Sequence, residues 1–424
     1  MSDLAGLLGS LKGRRVLGVN PPVMDFAFFD FWAKPLGLLF LLGFLRDRGN
    51  EVSLIDCIRE SGSSDKKYGR RAPARKEIPK PEVYRGVPRR FWHYGLDEEE
   101  LTSRITAMPR PDLIFVTSAM TYWYKGVFWC IEQLRRILPG VPVILGGIYP
   151  VLCPEHAALS GADLVQTKPL PLPSSIPAMD LYGRLTFGVA LSSTGCPRRC
   201  SYCASSLLCP EFRQRDLDRL MAEIDLQVGL GAGDLAFYDD ALLVGKANHF
   251  YPLCEKIAAR HPDLRLHTPN GLHLREIDRD CASLLYQRGF KTIRLSLEGI
   301  DDVNLKAGGC KASPEEYGAA VSYLLEAGYR PDQVETYVLI GLPGQKPHDA
   351  AETIHFIKSQ GAKAKLAQFS PIPGTPLFGE VLRKHPEVLH EPLLQNNTVY
   401  SPFVSGEIKP EELQHLKDLA RLPD

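Results

Sequence analysis

The stretch Ser193-Thr194-Gly195-Cys196-Pro197-Arg198-Arg199-Cys200-Ser201-Tyr202-Cys203-Ala204-Ser205-Ser206 gathers three of the chain's ten cysteines into eight residues. It follows directly on the β-rich run TFGVALSST (186–194), so the thiols sit on a tight loop leaving a strand. Thiolates are soft ligands that suit iron–sulfur clusters or zinc. Structural zinc takes four protein ligands, and an ordinary four-iron cluster takes four cysteines. Three cysteines leave one iron without a protein ligand, a position open to a substrate or cofactor. Were Cys209 to add a fourth thiolate, the same stretch would instead make a zinc knuckle or an electron-transfer centre. Cysteines buried for unrelated reasons are the third reading.

Moving outward toward the C-terminus, six strand-like runs alternate with helical stretches: TFGVALSST, DLAFYDD, LRLHTPNG, TIRLSLEG, VETYVLIGLPG and AKLAQFSPIPG. Six β/α units fall short of the eight in a closed barrel, so residues 184–375 predict a partial (β/α)6 TIM barrel with active residues on loops at the C-terminal strand ends. Residues 376–424 predict a short helical cap. In TIRLSLEG, alternation puts Arg294, Ser296 and Glu298 on one face, toward the lumen, and Ile293, Leu295 and Leu297 on the other. A buried carboxylate needs a partner, and an internal Arg294–Glu298 salt bridge is the plain alternative to ligand binding. Asp239 and Asp240 end the second strand, as ligand contacts or as a helix cap. His267 and Asn270 follow the third, where Asn-Gly also reads as a simple turn. Gly341 and Gly344 end the fifth, where backbone can approach a flat ligand, or where the strand merely turns into a helix.

Toward the N-terminus, RVLGVN, EVSLID, DLIFVTSAM, PVILGGIYP and DLVQT alternate with helices and predict an α/β, doubly wound, Rossmann-like domain over residues 1–167. Residues 57–100 interrupt it as a basic, proline-rich insertion ending in RRFWHYG, read as a lid or substrate loop. Residues 168–183 form a proline-rich linker. The first βα turn, VNPPVMD, lacks Gly-x-Gly-x-x-Gly, which argues against a nicotinamide cofactor.

With 424 residues of which 44% are hydrophobic, the chain can bury a sizeable core. Fifty basic residues balance fifty acidic ones, so no overall field draws nucleic acid. The apolar run PLGLLFLLGFL (35–45) is shorter than the ~20 residues of a membrane span and predicts a buried helix closing at Gly49. Without an apolar signal core at the start, the expected location is cytoplasmic, with no stable membrane insertion.

The spacing Cys196-x-x-x-Cys200-x-x-Cys203, with Tyr202 before the last cysteine and the loop on the first strand of a β/α array, resembles the signature of the radical S-adenosylmethionine (SAM) superfamily. That resemblance implies a 4Fe–4S cluster on the three cysteines and SAM on the open iron. It further implies reductive cleavage of SAM to a 5′-deoxyadenosyl radical, and an electron donor such as flavodoxin or ferredoxin. It casts Ser296 and Glu298 as contacts to the ribose or methionine part of SAM, and Tyr202, Asp239, Asp240 and Asn270 as further cofactor or substrate contacts. Gly341, Gly344 and Pro373 become the adenine side. No Gly-Gly-Glu tripeptide accompanies Asp239 and Asp240, which leaves the contact to the SAM amine open.

The runs KPLGLLFLLGFLRDRGNEVSLID, PDLIFVTSAM and PVILGGIYPVLCPE resemble the N-terminal cobalamin-binding domain of one radical SAM subfamily. The resemblance implies cobalamin as a further cofactor, with Thr117, Ser118, Gly146 and Gly147 flanking the slot for its nucleotide tail. The Asp-x-His-x-x-Gly motif that supplies a cobalt ligand elsewhere is missing, since Asp56 is followed by Cys-Ile-Arg. The expected function is methylation of an unactivated carbon of a small molecule. The alternatives are radical cyclisation, rearrangement or oxidation without methyl transfer, and a non-catalytic iron–sulfur or zinc module.

Overall fold

The computed structural model describes residues 4–28, 32–58, 67–70, 72–171, 173–309 and 312–421. The chain is an α/β protein that divides into two compact units. The first comprises residues 1–186 with Leu226–Gly231 and His390–Leu393, and the second comprises the remainder.

The first unit is built on five strands: β1 (Arg15–Asn20), β2 (Glu51–Asp56), β3 (Leu113–Val116), β4 (Val143–Leu145) and β5 (Leu164–Val165). They form one parallel sheet in the order β2-β1-β3-β4-β5. The order in which strands are added therefore reverses between β1 and β3, and in open sheets ligands bind beyond the strand C-termini at such a reversal. β3 and β4 are buried along their whole length, as expected of parallel strands covered on both faces. The apolar run anticipated as a buried helix is the helix Leu36–Asp47, and Gly49 follows it at φ +83. A Cβ on Gly18 of β1 would stand 2.7 Å from Leu42 Cδ1, so that glycine sets how closely helix and sheet approach. Leu38, Leu42 and Leu45 close the core against Val16, Leu113, Phe115 and Ile144.

The described part of the 57–100 insertion folds as strands Arg75–Ile78 and Phe91–Tyr94. These pair antiparallel with each other and with Val23–Asp25. Residues 59–66 and 71 of the insertion lie outside the described residues. The end of the linker packs on the first unit: Ala178 N–H donates to Leu39 (3.0 Å) and Tyr182 Oη to Asp56 (2.6 Å).

The second unit carries six parallel strands: β6 (Gly188–Ala190), β7 (Asp234–Phe237), β8 (Arg265–His267), β9 (Phe290–Glu298), β10 (Val334–Ile340) and β11 (Lys363–Gln368). Each pairs with its neighbours in the chain, in the order β11-β10-β9-β8-β7-β6. Because the strands are parallel and joined through helices, their C-terminal ends share one edge, and the loops that carry polar residues gather there. Beneath that edge, Phe237 stacks on Phe290 with centroids 6.0 Å apart. Asp234 accepts from Arg265 Nε (2.7 Å) and lies 2.9 Å from His267 Nε2. Beyond β11, the helix Pro376–Lys384 and the segment to Tyr400 form a second apolar cluster with Leu339, Leu342 and Phe369. Among the described residues, no helix is long and apolar enough to cross a membrane.

Candidate active site

The three-cysteine loop leaves β6 through a polar clamp. Asp239, at the end of β7, accepts from the backbone N–H groups of Ser192 (3.0 Å) and Ser193 (2.5 Å) and from both hydroxyls (2.7 Å each). Burial pushes the Asp239 carboxyl up, and these four hydrogen bonds counter it. Gly195 follows at φ +73, and a Cβ there would collide with the Glu211 carbonyl, so only glycine makes this turn. Ser201 then anchors the loop's far side. Its N–H (2.8 Å) and hydroxyl (3.1 Å) donate to the Ala307 carbonyl, while its own carbonyl accepts from Leu377 N–H (3.0 Å).

Held this way, Cys196, Cys200 and Cys203 line one cavity of about 200 Å³. Burial raises the Cys196 thiol, and the charges of Asp240, Cys200 and Cys203 add to it, whereas the Arg198 N–H works against it. The Cys203 sulfur accepts from Ser205 N–H (3.5 Å) and lies 3.1 Å from the Ser205 hydroxyl, and such contacts tune cluster thiolates. Among the described residues no three His, Cys, Asp or Glu side chains close on a single metal ion. A lone zinc needs its sulfurs within ~2.3 Å of one point, whereas a four-iron cube spaces its thiolates more widely. Three thiolates lining one cavity fit the cube. Cys209 does not line this cavity; its Sγ is directed to the Glu211 carbonyl (3.5 Å).

The rest of the lining is polar. Tyr202 belongs to it, with its hydroxyl pushed up by burial, and so do Asp240, Asn270, Ser296 and Glu298. Burial raises the Asp240 carboxyl while a Ser205 hydrogen bond opposes it. Asn270 Nδ2 donates to the Tyr238 carbonyl (2.8 Å), which fixes its side chain at the rim. Glu298 reaches the cavity in an unusual way. The β9–β10 register shifts between Ser296 and Glu298, and Glu298 takes φ +70, a conformation that costs a non-glycine residue of order 1 kcal/mol. Simple alternation thus predicts its direction for the wrong reason, because a bulge intervenes. Arg294 pairs with Glu335 of β10.

The remaining expected residues lie apart from this cavity. Asp239 is spent on the serine clamp, and His267 is fully buried beside Asp234 and Thr292. Gly341 packs against Ser401, and its N–H donates to Gln345 Oε1 (2.7 Å). Gly344, with nothing near a Cβ, and Pro373 are likewise outside the described lining. Five lining residues were not anticipated: Arg198, Ser205, Ser206, Gly271 and His273. Leu272 bridges Leu295, so the 270–273 segment continues the sheet past the expected Asn-Gly turn and carries His273 to the cavity. The one sequence signal was Leu272, an apolar residue placed where a free turn has no use for one.

In the first unit, Ser118 and Gly147 meet at the ends of β3 and β4. Gly147 (φ +97) leaves no room for a Cβ against Ser118, whose hydroxyl donates to the Gly146 carbonyl (2.8 Å). A Cβ on Gly146, by contrast, would meet nothing within 4 Å. Met120 and Ile148 stand beside these strand ends, 44% and 40% exposed.

Residues 191–357 match the Radical SAM superfamily, a span that contains the three-cysteine loop and the strands β7 to β10. This part of the chain is a radical SAM domain. That membership brings a 4Fe–4S cluster and SAM, and the thiol-lined cavity suits both. The chain is 25% identical over 274 residues to the anaerobic magnesium-protoporphyrin IX monomethyl ester cyclase of Cereibacter sphaeroides, covering 61% of this chain and 43% of that one. It is 24% identical over 275 residues to the ribosomal protein uS12 methylthiotransferase RimO of Geotalea uraniireducens, covering 58% and 56%. The chain spans about half the length of the curated relatives it matches. Among solved structures, the radical SAM methyltransferase TsrM from Kitasatospora setae, with cobalamin and a 4Fe–4S cluster bound, superposes with a TM-score of 0.65 at 19% identity. It covers 88% of this chain and 78% of that one, which establishes a shared fold.

Proposed function

We propose that this radical SAM protein is a cobalamin-dependent methyltransferase acting on an unactivated carbon of a small molecule. The observation that carries the radical part is the convergence of Cys196, Cys200 and Cys203 on one cavity with Asp240, Ser296 and Glu298. In this reading the three cysteines hold the cluster, and Ser205 steadies the Cys203 thiolate. When bound, the cluster and SAM supply a 5′-deoxyadenosyl radical that abstracts hydrogen from substrate, and cobalamin carries the methyl group. Asp240 would receive the SAM amine, Arg198 its carboxylate, and Ser296 with Glu298 the ribose hydroxyls. Tyr202 and Asn270 shape the rim. Gly341, Gly344 and Pro373 would serve the adenine only through backbone, from outside the cavity described.

The first unit is read as a Rossmann-like, cobalamin-binding domain over residues 1–167, and residues 184–375 as a partial (β/α)6 barrel with residues 376–424 as a cap. What supports cobalamin is the open backbone at Gly146, flanked by exposed Met120 and Ile148 at the strand ends beyond a doubly wound reversal. Thr117 offers a hydroxyl there, whereas that of Ser118 is already used. Flavodoxin or ferredoxin is the expected donor. The similarity to a cyclase supports a second reading, radical cyclisation without methyl transfer.

Anaerobic reconstitution with cobalamin, SAM bearing a deuterated methyl group and dithionite tests the proposal. The expected result is 5′-deoxyadenosine, a bound cobalamin spectrum and label in a methylated product. Deoxyadenosine without bound cobalamin favours the cyclase-like reading, and no deoxyadenosine from an intact reduced cluster removes both.

A further inference from the structure

We propose that Gly271 and His273, on the extension of β8, complete a two-strand cradle for the ribose of SAM, in which His273 selects for one of the sugar hydroxyls. The inference rests on the SAM reading above, which gives the ribose to Ser296 and Glu298 of β9, and it adds the residue that distinguishes ribose from a deoxy sugar.

The observation behind it is a local strand pairing. Beyond His267 the chain runs back along β9: Leu272 bridges Leu295, its N–H donates to the Arg294 carbonyl (2.8 Å), and its carbonyl accepts from Ser296 N–H (3.1 Å). Alternation turns Leu272 and Leu295 into the core and sets His273 beside Ser296 on the cavity side. Both ends of the segment are tied down. Asn270 Nδ2 donates to the Tyr238 (2.8 Å) and Asp239 (3.3 Å) carbonyls, and the His273 carbonyl accepts from Glu276 N–H (3.1 Å). His273, Ser296 and Glu298 are each 9% exposed, so three polar groups from two adjacent strands are held within one cavity wall.

Gly271 is the fitted part of this wall. Its φ lies outside the left-handed region, so its conformation needs no glycine, but a Cβ would collide with the Ser296 hydroxyl and stand 3.2 Å from the Ser296 nitrogen. The missing side chain is thus the space into which Ser296 turns its hydroxyl. His267, on the same strand, makes the contrast. Its ring is fully buried outside the lining, 2.9 Å from Asp234 and 3.2 Å from Thr292, and serves the fold. His273 stands in the lining, next to the two groups that the SAM reading gives to the sugar. Each ribose hydroxyl donates and accepts, whereas a carboxylate only accepts; neutral imidazole brings one donor and one acceptor. A site built around a hydroxyl in this way rejects an analogue that lacks it.

The test measures binding to the reconstituted, cluster-bearing protein by equilibrium dialysis, with SAM, 2′-deoxy-SAM and 3′-deoxy-SAM as probes. H273A is expected to bind SAM about tenfold more weakly than wild type but to bind one of the two deoxy analogues as wild type does, so that its preference for that hydroxyl disappears. G271A should weaken SAM binding as S296A does, and G271A/S296A should be no weaker than S296A alone, since both changes act on one hydroxyl. Should H273A lose its iron, H273Q, which keeps a donor and an acceptor, carries the test with a smaller loss confined to the same probe pair. Equal losses for SAM and both analogues from an intact cluster mark a purely structural histidine and overturn the cradle, as does an unchanged Kd for SAM. A wild-type holoprotein that binds no SAM overturns the radical reading itself, an outcome distinct from either.

Discussion

Asp239 receives two hydrogen bonds from Ser193, one from its N–H (2.5 Å) and one from its hydroxyl (2.7 Å), and so fixes the point at which the three-cysteine loop leaves the sheet. Its neighbour Asp240 faces the cavity. Adjacent carboxylates thus divide the work: one builds the loop and the other meets the ligand.

Substituting each of the two should separate these roles. D239A leaves four donors around a buried site without an acceptor, at ~1–3 kcal/mol for the first and less for the others as they relax. The expected outcome is a Tm lower by several degrees and iron loading below half of wild type. D240N should keep Tm and iron within error but weaken SAM binding at least tenfold, measured by equilibrium dialysis of the reconstituted protein.

Cysteine substitutions should discriminate a three-ligand from a four-ligand site. C196A, C200A and C203A are each expected to abolish the cluster absorbance, whereas C209A should retain about four irons per chain. Loss of iron in C209A would restore the four-thiolate alternative.

Acid stability should report the buried pair beneath the site. Burial pushes Asp234 up, but hydrogen bonds from His267 and Arg265 outweigh it and hold the carboxyl below its ordinary value. A depressed carboxylate contributes stability above its unfolded pKa, ~3.9, and loses it as pH falls through the folded value. Wild-type Tm should therefore drop more steeply than that of D234N as pH is lowered from about 5 to about 3. At neutral pH, D234N should itself cost about 3 kcal/mol, because it strands His267 and Arg265.

The glycine pair of the first unit makes opposite predictions. G147A should destabilise by ~1–2 kcal/mol or more, since the residue needs φ +97 and no space exists against Ser118. G146L should leave Tm unchanged but exclude cobalamin, seen as loss of the bound corrin spectrum after gel filtration.

The sequence was legible where one period or one spacing decided the matter. Nine of the eleven parallel strands lie within the runs that alternation marked, β9 and β11 begin one or two residues before theirs, and the helix Leu36–Asp47 follows from a single apolar stretch ending before Gly49. The three thiols were legible from spacing alone. What escaped depended on contacts distant in sequence. The bulge at Glu298 is set by β10, and His273 reaches the cavity only because Leu272 bridges Leu295. The roles of Asp239 and His267 were misjudged for a common reason: a polar residue at a strand end serves a packed partner as readily as a ligand. Here the partners, Ser192 and Ser193 in one case and Asp234 in the other, lie about 30 to 50 positions away.

Electron paramagnetic resonance of the anaerobically reduced, reconstituted chain, recorded before and after SAM is added, tests the central claim most directly. The account predicts a single four-iron signal that depends on Cys196, Cys200 and Cys203 and changes shape when SAM binds. A signal that SAM leaves untouched, or one that survives removal of any of those three cysteines, would contradict it.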